Sequence, residues 1–546
     1  MTDIEIPFEK DRHGHYRFFE ILPGVLSWLL LFMPIILSFV NVTAAVVFIL
    51  AYLLIYFVRS IGFSLAGLRG YRIMKKHLKL DWRVLVDDVE NGSIGSGDNT
   101  ERPEWHKSNI ERLKTSSNPY KPSDLMHAVI IATVNESREV LEPTIRSIID
   151  GLQDNKRLIL VFAYEGRAGK ETEDRVIRLV EEYREFFYDA FAVKHPANVP
   201  GEVIGKGANI SCAGRYLKDY IEEQQIDPKK VIVTTLDADN RPDKRYFLGV
   251  SYLYCVVPDP IRASYQPLPM FTNNIWDAPT MMRVIATGNT VFYIVGTTRP
   301  HRVRNFSAHA QSMQALIDMN FWSVRTVVED GHHFWRSYFH FNGDYRAYPL
   351  SIPVYQDAVL ADGYFKTIKA QFVQLRRWTY GASDIAYVAD KGFFHKNSIS
   401  KSDLIAKFLN LLEGHVTWAT GTILVFGAAF IPPLIAPLSF AANEIPLIVS
   451  RIQMVGLVGL LASVYVCLVT LPPRPTRYKK HRSILMVLQW AITPFTGVAF
   501  GSLAAFNSQT RLMFKRYLSK FDVTEKAVVT REGDVVSSEA DPGHSA

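Results

Sequence analysis

Residues 21–58 contain no Asp, Glu, Lys or Arg. A helix needs about 20 apolar residues to cross a bilayer core, so this run is nearly twice one span. Soluble core helices rarely go so long without a charge. The stretch is also too long for the apolar part of a signal peptide and lacks a convincing cleavage site. A helical hairpin turning near residues 41–43 is expected. Three more charge-free runs lie in the last third of the chain, at 414–443, 452–473 and 483–510.

Basic clusters flank these runs: Arg59, Arg69, Arg72, Lys75 and Lys76 after the first, Arg474, Arg477, Lys479, Lys480 and Arg482 before the last, and Arg511, Lys515, Arg516 and Lys520 after it. Lys and Arg gathered at span ends mark the cytoplasmic side. The net charge of +7 is therefore read as a topology signal and not as a nucleic-acid footprint. The three cysteines are far apart, which excludes a disulfide scaffold and a Cys-rich zinc site. Parity places residues 60 to about 400 in the cytoplasm, with spans at 416–437 and 450–471. The last run has basic flanks on both sides and Pro494 and Gly497 within it. A re-entrant or interfacial hairpin is favoured there over a fifth span.

Between the membrane segments, continuous apolar runs rich in β-branched residues stand at 127–134 (HAVIIATV), 158–164 (LILVFAY) and 231–236 (VIVTTL). Helix-like stretches at 139–152, 170–187 and 208–224 alternate with them. That alternation predicts an α/β domain with a mostly parallel sheet and helices on both faces. Ligands of such sheets bind at the carboxyl ends of the strands, and polar residues stand there in this chain. Asp237 and Asp239 follow the third run, and two carboxylates one residue apart can bracket Mg²⁺ or Mn²⁺ on a diphosphate. Thr133, Asn135 and Glu136 follow the first run and Glu165 the second, placed to hold a base and ribose; helix capping is the other reading for Asn135 and Glu136. Lys206 in G-K-G-A-N lies before a helix and can face phosphate, although the spacing is not that of a Walker motif. Further on come Glu329-Asp330, a candidate general base, and Gln374-Leu375-Arg376-Arg377-Trp378, with an Arg for phosphate and an aromatic face for a sugar or base. His332 and His333 are adjacent, so they point different ways on a helix and do not suggest a metal pair.

The order T-V-N-E, acidic strand end, G-K-G-A-N, D-A-D, E-D, Q-L-R-R-W, set between membrane segments, resembles the family 2 membrane glycosyltransferases, which include cellulose, hyaluronan and chitin synthases. The resemblance spans roughly residues 20–530. Phe521-Asp522-Val523-Thr524-Glu525-Lys526 is similar to the F-x-V-T-x-K gating loop of cellulose synthase. The resemblance implies a GT-A type domain inserted between transmembrane helices, with Thr133, Glu136 and Glu165 at the nucleoside and Lys206 also on the donor. It implies Asp237 and Asp239 on the metal-bound diphosphate, Asp330 as base with Glu329 beside it, Gln374, Arg377 and Trp378 at the acceptor end and diphosphate, and Thr524 and Lys526 as a gate. Three departures stand out: Ala132 replaces a usual proline, Glu165 a usual aspartate, and Ala527 a usual glycine.

The expected organisation is a cytoplasmic N-terminal segment (1–20), a transmembrane hairpin (21–58), an amphipathic linker (59–126), the cytoplasmic glycosyltransferase domain (127–400), interfacial and transmembrane helices (401–510), a gating-type segment (511–529) and a disordered tail (530–546). The expected protein is an inverting glycosyltransferase of the plasma (inner) membrane, dependent on Mg²⁺ or Mn²⁺ and on a nucleotide sugar such as a UDP-sugar. Its partners would be the bilayer and a polysaccharide or lipid-linked acceptor, with no nucleic acid.

Overall fold

Alternation along the strands explains the central layer. Ala128 and Ile130 face one side of strand β1 (Met126–Thr133), Val129 and Ile131 face the other, and all four are fully buried. Val129 and Ile131 join a cluster with Ile145 and Ile148 of helix α1 (Arg138–Gly151) and Val176 and Leu179 of α2 (Lys170–Tyr183). Ala128 and Ile130 pack with Ile210, Ala213 and Leu217 of α3 (Lys206–Glu223). A sheet covered on both faces requires apolar residues at successive positions, which is why these strands read as unbroken apolar runs. The structure, a computed structural model, describes residues 4–95, 101–116, 118–151 and 155–519. Thr524, Lys526 and the tail from 530 lie outside the described residues.

The remaining strands are β2 (Leu158–Glu165), β3 (Asp189–His195), β4 (Val231–Asp237), β5 (Arg241–Pro242), β6 (Ala263–Phe271), β7 (Ala310–Ser312) and β8 (Arg346–Gln356). They form one eight-stranded sheet in the order β3-β2-β1-β4-β7-β6-β8-β5. The β3-β2-β1-β4 half is parallel. β7 runs antiparallel to both β4 and β6, while β6 and β8 pair in parallel. The sheet is thus mixed, more so than the mostly parallel one expected. β6 and β8 each carry two prolines and give no strand signal in the sequence. The register slips between Gln266 and Leu268, an irregularity that accommodates Pro267, which has no N–H to donate.

Among the described residues, five helices are long and apolar enough to cross a membrane: Gly14–Val40, Val42–His77, Lys401–Ile435, Phe440–Val469 and His481–Met513. The first two meet at Asn41, whose side chain caps the second. The second continues past the charge-free run to His77, so Arg59, Arg69 and Arg72 ride on the same helix. The last run, where the sequence favours a re-entrant hairpin, is helical from His481 to Met513, with a 3₁₀ stretch at Gln489–Ile492 and a π-helical stretch at Gly497–Ser502. Within the stretch expected to be a linker, helices Trp82–Asn91 and Glu104–Leu113 bury Trp82, Leu85 and Ile110 in the domain core.

Helix Val42–His77 is seated on helix Thr280–Thr297 through its glycines. A Cβ at Gly70 would lie 2.4 Å from the Ile294 carbonyl oxygen, whereas one at Gly62 would meet nothing within 4 Å. Gly70→Ala is expected to destabilise the protein by about 1–3 kcal/mol through overpacking. Gly62→Ala should be neutral or stabilising by up to about 1 kcal/mol from helix propensity. Thermal unfolding of the two variants in one detergent checks this; equal midpoints would show that the contact at Gly70 is not tight in solution.

Candidate active site

The carboxyl ends of β1, β2 and β4 lie side by side, because Thr133 is in register with Tyr164 and Ala132 with Asp237. They open onto a cavity of about 820 Å³ lined by Thr133, Glu136, Glu165, Lys206, Asp237, Asp239, Glu329, Asp330, Gln374, Arg377 and Trp378. Every expected site residue within the described part of the chain therefore reaches one cavity.

Lys206 is its centre. The Nζ is 2.9 Å from Asp237 Oδ1 and 3.1 Å from Asp330 Oδ2, and the side chain is almost wholly buried. Burial opposes charge on Lys206, but Asp237 and Asp330, then Glu329, outweigh it and hold its pKa above the ordinary lysine value. The rest of G-K-G-A-N serves this placement. A Cβ at Gly207 would come within 2.4 Å of the Ser323 carbonyl oxygen and 3.1 Å of Glu329 Cβ, so glycine lets the helix start close against the Glu329 segment. Asn209 donates to the Ala163 carbonyl and ties α3 to β2.

The D-A-D turn is held from other segments. Ser307 Oγ donates to Asp237 Oδ2 at 2.8 Å, the Asp357 amide donates to Asp239 Oδ2 at 3.1 Å, and Asn273 donates to the Asp239 carbonyl. Among the described residues no group of three or more His, Cys, Asp and Glu could hold a metal. Two hard carboxylates facing a cavity fit Mg²⁺ or Mn²⁺ when the substrate supplies the remaining oxygens.

Where β1 ends, Glu136 accepts from Thr133 Oγ1 at 2.7 Å and from the Val134 and Asn135 amides. Glu136 does not cap the helix that follows, whose first amides donate to the Ser137 carbonyl; one carboxylate oxygen holds the turn after β1, and the residue also lines the cavity. Glu165 is buried beside His195, which lies 3.4 Å away through Nδ1 and 2.9 Å from Glu202 through Nε2. Glu165, against burial and with help from Glu202, raises the pKa of His195.

Glu329 and Asp330 open a helix, Glu329–His340. Glu329 is buried, with Oε2 lacking a hydrogen-bond partner. Burial, reinforced by Asp330 and opposed by Lys206 and Arg377, pushes its carboxyl from an ordinary 4.5 up to about 8. The folded protein thus favours the protonated form. That contribution to stability is complete below about pH 4.5 and is lost as pH rises through about 8. Between those values the unfolding midpoint of Glu329→Gln should gain steadily on that of the wild type. A constant difference between the two would show that Glu329 does not titrate there. The neighbouring histidines have structural partners: His332 Nδ1 is 2.7 Å from Asp384, and His333 meets Gln311.

Gln374, Arg377 and Trp378 share one face of helix Tyr364–Thr379, and Trp378 packs against Phe271 at 5.9 Å between ring centroids. Sequence reasoning misses Ser307, Asp357, His195 and Arg304, all outside the motifs.

No family model and no curated protein matches the chain. Among solved structures, a mannosyltransferase from Pyrobaculum calidifontis in complex with GDP-Man and Mn²⁺ is 14% identical, with a TM-score of 0.38, over 82% of this chain and 99% of that one. S. aureus TarS 1-349 in complex with UDP is 10% identical, with a TM-score of 0.35, over 72% and 93%. GalNAc-T7 with UDP, GalNAc and Mn²⁺ is 11% identical, with a TM-score of 0.28, over 56% and 58%. Likeness of this extent assigns neither family nor activity. The architecture is the expected α/β domain, its sheet flanked by helices, set between long apolar helices.

Proposed function

We propose that this chain is a membrane-embedded inverting glycosyltransferase that moves a sugar from a nucleotide-sugar donor onto an acceptor hydroxyl. One observation carries the reading: the D-x-D, E-D and Q-x-x-R-W side chains line a single cavity at the carboxyl ends of the parallel strands, and that cavity continues to Tyr56 and Trp418 on two of the apolar helices.

Glu165 and Thr133 would face the nucleoside. Asp237 and Asp239 would hold Mg²⁺ or Mn²⁺, which supplies positive charge against the leaving diphosphate. Arg377 would add charge-assisted hydrogen bonds to diphosphate oxygens, and Trp378 an aromatic face to the acceptor sugar. Asp330 takes the proton of the acceptor hydroxyl as its oxygen bonds to C1 and the bond from C1 to the diphosphate breaks. Glu329, kept protonated by burial, is the neutral neighbour of that base. Lys206 orients Asp330 and ties it to the donor carboxylate Asp237.

The acceptor in the first reading is a growing polysaccharide. The second reading, a lipid or lipid-linked acceptor, is favoured by Arg304, a cation in the same cavity with no carboxylate pair among the described residues. The placement of basic clusters supports a cytoplasmic domain in the inner membrane. The test is product analysis in vesicles, with Mg²⁺ or Mn²⁺ and a panel of radiolabelled nucleotide sugars. Label in polymer or in a lipid extract supports transfer; no consumption of any donor defeats it.

A further inference from the structure

Resting on the sugar-transfer reading, we propose that Arg304 binds the phosphate of a lipid-linked acceptor that reaches Asp330 from the apolar helices. The guanidinium lines the cavity and stacks over Trp335 at 4.7 Å from the ring centroid. No carboxylate pairs with it among the described residues. Asp384 is the nearest acidic influence, and its Oδ1 is held by His332 at 2.7 Å. Burial lowers the pKa of Arg304 to about 10, with Asp384 opposing, so the group stays cationic at neutral pH. Arg304 is half-buried and forms no ion pair among the described residues, so an anion beside it in the cavity would be favoured. His415, on the helix Lys401–Gly427, lines the same cavity and has a shielded Nδ1 without a hydrogen-bond partner.

Arg304 has other neighbours than the donor carboxylates have. The donor carboxylates Asp237 and Asp239 are grouped with Lys206, Ser307 and Asp357. Trp335, under Arg304, lies five residues beyond Asp330 on one helix, a rise of about 7.5 Å. A hydroxyl at Asp330 and a phosphate at Arg304 can therefore belong to one acceptor molecule. The cavity wall also includes Phe292 and Trp418, both exposed large apolar side chains. Phe292 lies on the helix Thr280–Thr297, against which the apolar helix Val42–His77 packs, and Trp418 lies on an apolar helix. A lipid tail has somewhere apolar to lie, which a free sugar phosphate would not need, and a neutral polymer would leave Arg304 without its counter-ion.

The experiment uses the full chain in maltoside micelles. Retention of radiolabelled phosphatidylinositol, which carries hydroxyls beside a lipid phosphate, is compared with that of glucosyl diacylglycerol, which has no phosphate. The proposal expects the wild type to retain the phospholipid, and Arg304→Gln to lose affinity for it about tenfold or more, the cost of one charge-assisted contact. Arg304→Lys should fall between, and the neutral glycolipid should not distinguish the three. If Arg304→Gln does not fold, Arg304→Lys carries the comparison. Equal retention by all variants overturns the proposal. So does displacement of the phospholipid by millimolar inorganic phosphate, or by an acidic oligosaccharide at equal concentration. The binding arm needs no donor, so failure of every nucleotide sugar would end the transfer reading and leave the binding result for Arg304 intact.

Discussion

Asp330→Asn is expected to lower sugar transfer by about 10²–10⁴-fold while changing nucleotide affinity only a few-fold, the usual reach of a positioned general base. Asparagine has the same shape and keeps an oxygen for Lys206 Nζ, now 3.1 Å from the carboxylate, but it cannot take a proton. The choice between the adjacent acids follows from their surroundings. Glu329 is buried and pushed up to about 8, whereas Asp330 opens to the cavity and is held by a cation. A steady-state assay of transfer beside a titration of the nucleoside diphosphate checks this. Wild-type turnover in Asp330→Asn would remove Asp330 from the chemistry. A collapse of nucleotide affinity would mean that its task is to fix Lys206 and Asp237 for the donor.

The parts of this site that are legible in the sequence are those made by short contiguous patterns. β1, β2 and β4 can be read to within a residue or two because a strand buried on both faces must be apolar at every position. Asp237, Asp239, Asp330 and Trp378 follow from motifs. What is not legible comes from tertiary convergence. Ser307 and Asp357 lie 70 and 118 residues from their partners in the D-A-D turn, and no local spacing announces them. β6 and β8 are hidden by Pro267, Pro269, Pro349 and Pro353, residues that normally argue against a strand. Lys206 reads from its motif as facing phosphate. Its nearest partners are two carboxylates, and that difference has the larger consequence.

Lys206→Met should both destabilise the fold and abolish efficient transfer. The substitution keeps an unbranched apolar stem but removes the charge that Asp237 and Asp330 share at 2.9 and 3.1 Å. Breaking a fully buried ion pair costs about 3–5 kcal/mol. Asp237 is 36% exposed here, so solvent screening reduces the expectation to about 2–3 kcal/mol. The loss should shrink with added Mn²⁺. Without the ammonium beside Asp237, the D-A-D carboxylates gain attraction for a cation, so Mn²⁺ should raise the unfolding midpoint of Lys206→Met more than that of the wild type. An equal response would mean that the cation does not bind where Lys206 can be felt. A larger response, with transfer still absent, would separate the two tasks of this residue: holding the carboxylates together in the folded chain, and aiming Asp330 at the acceptor.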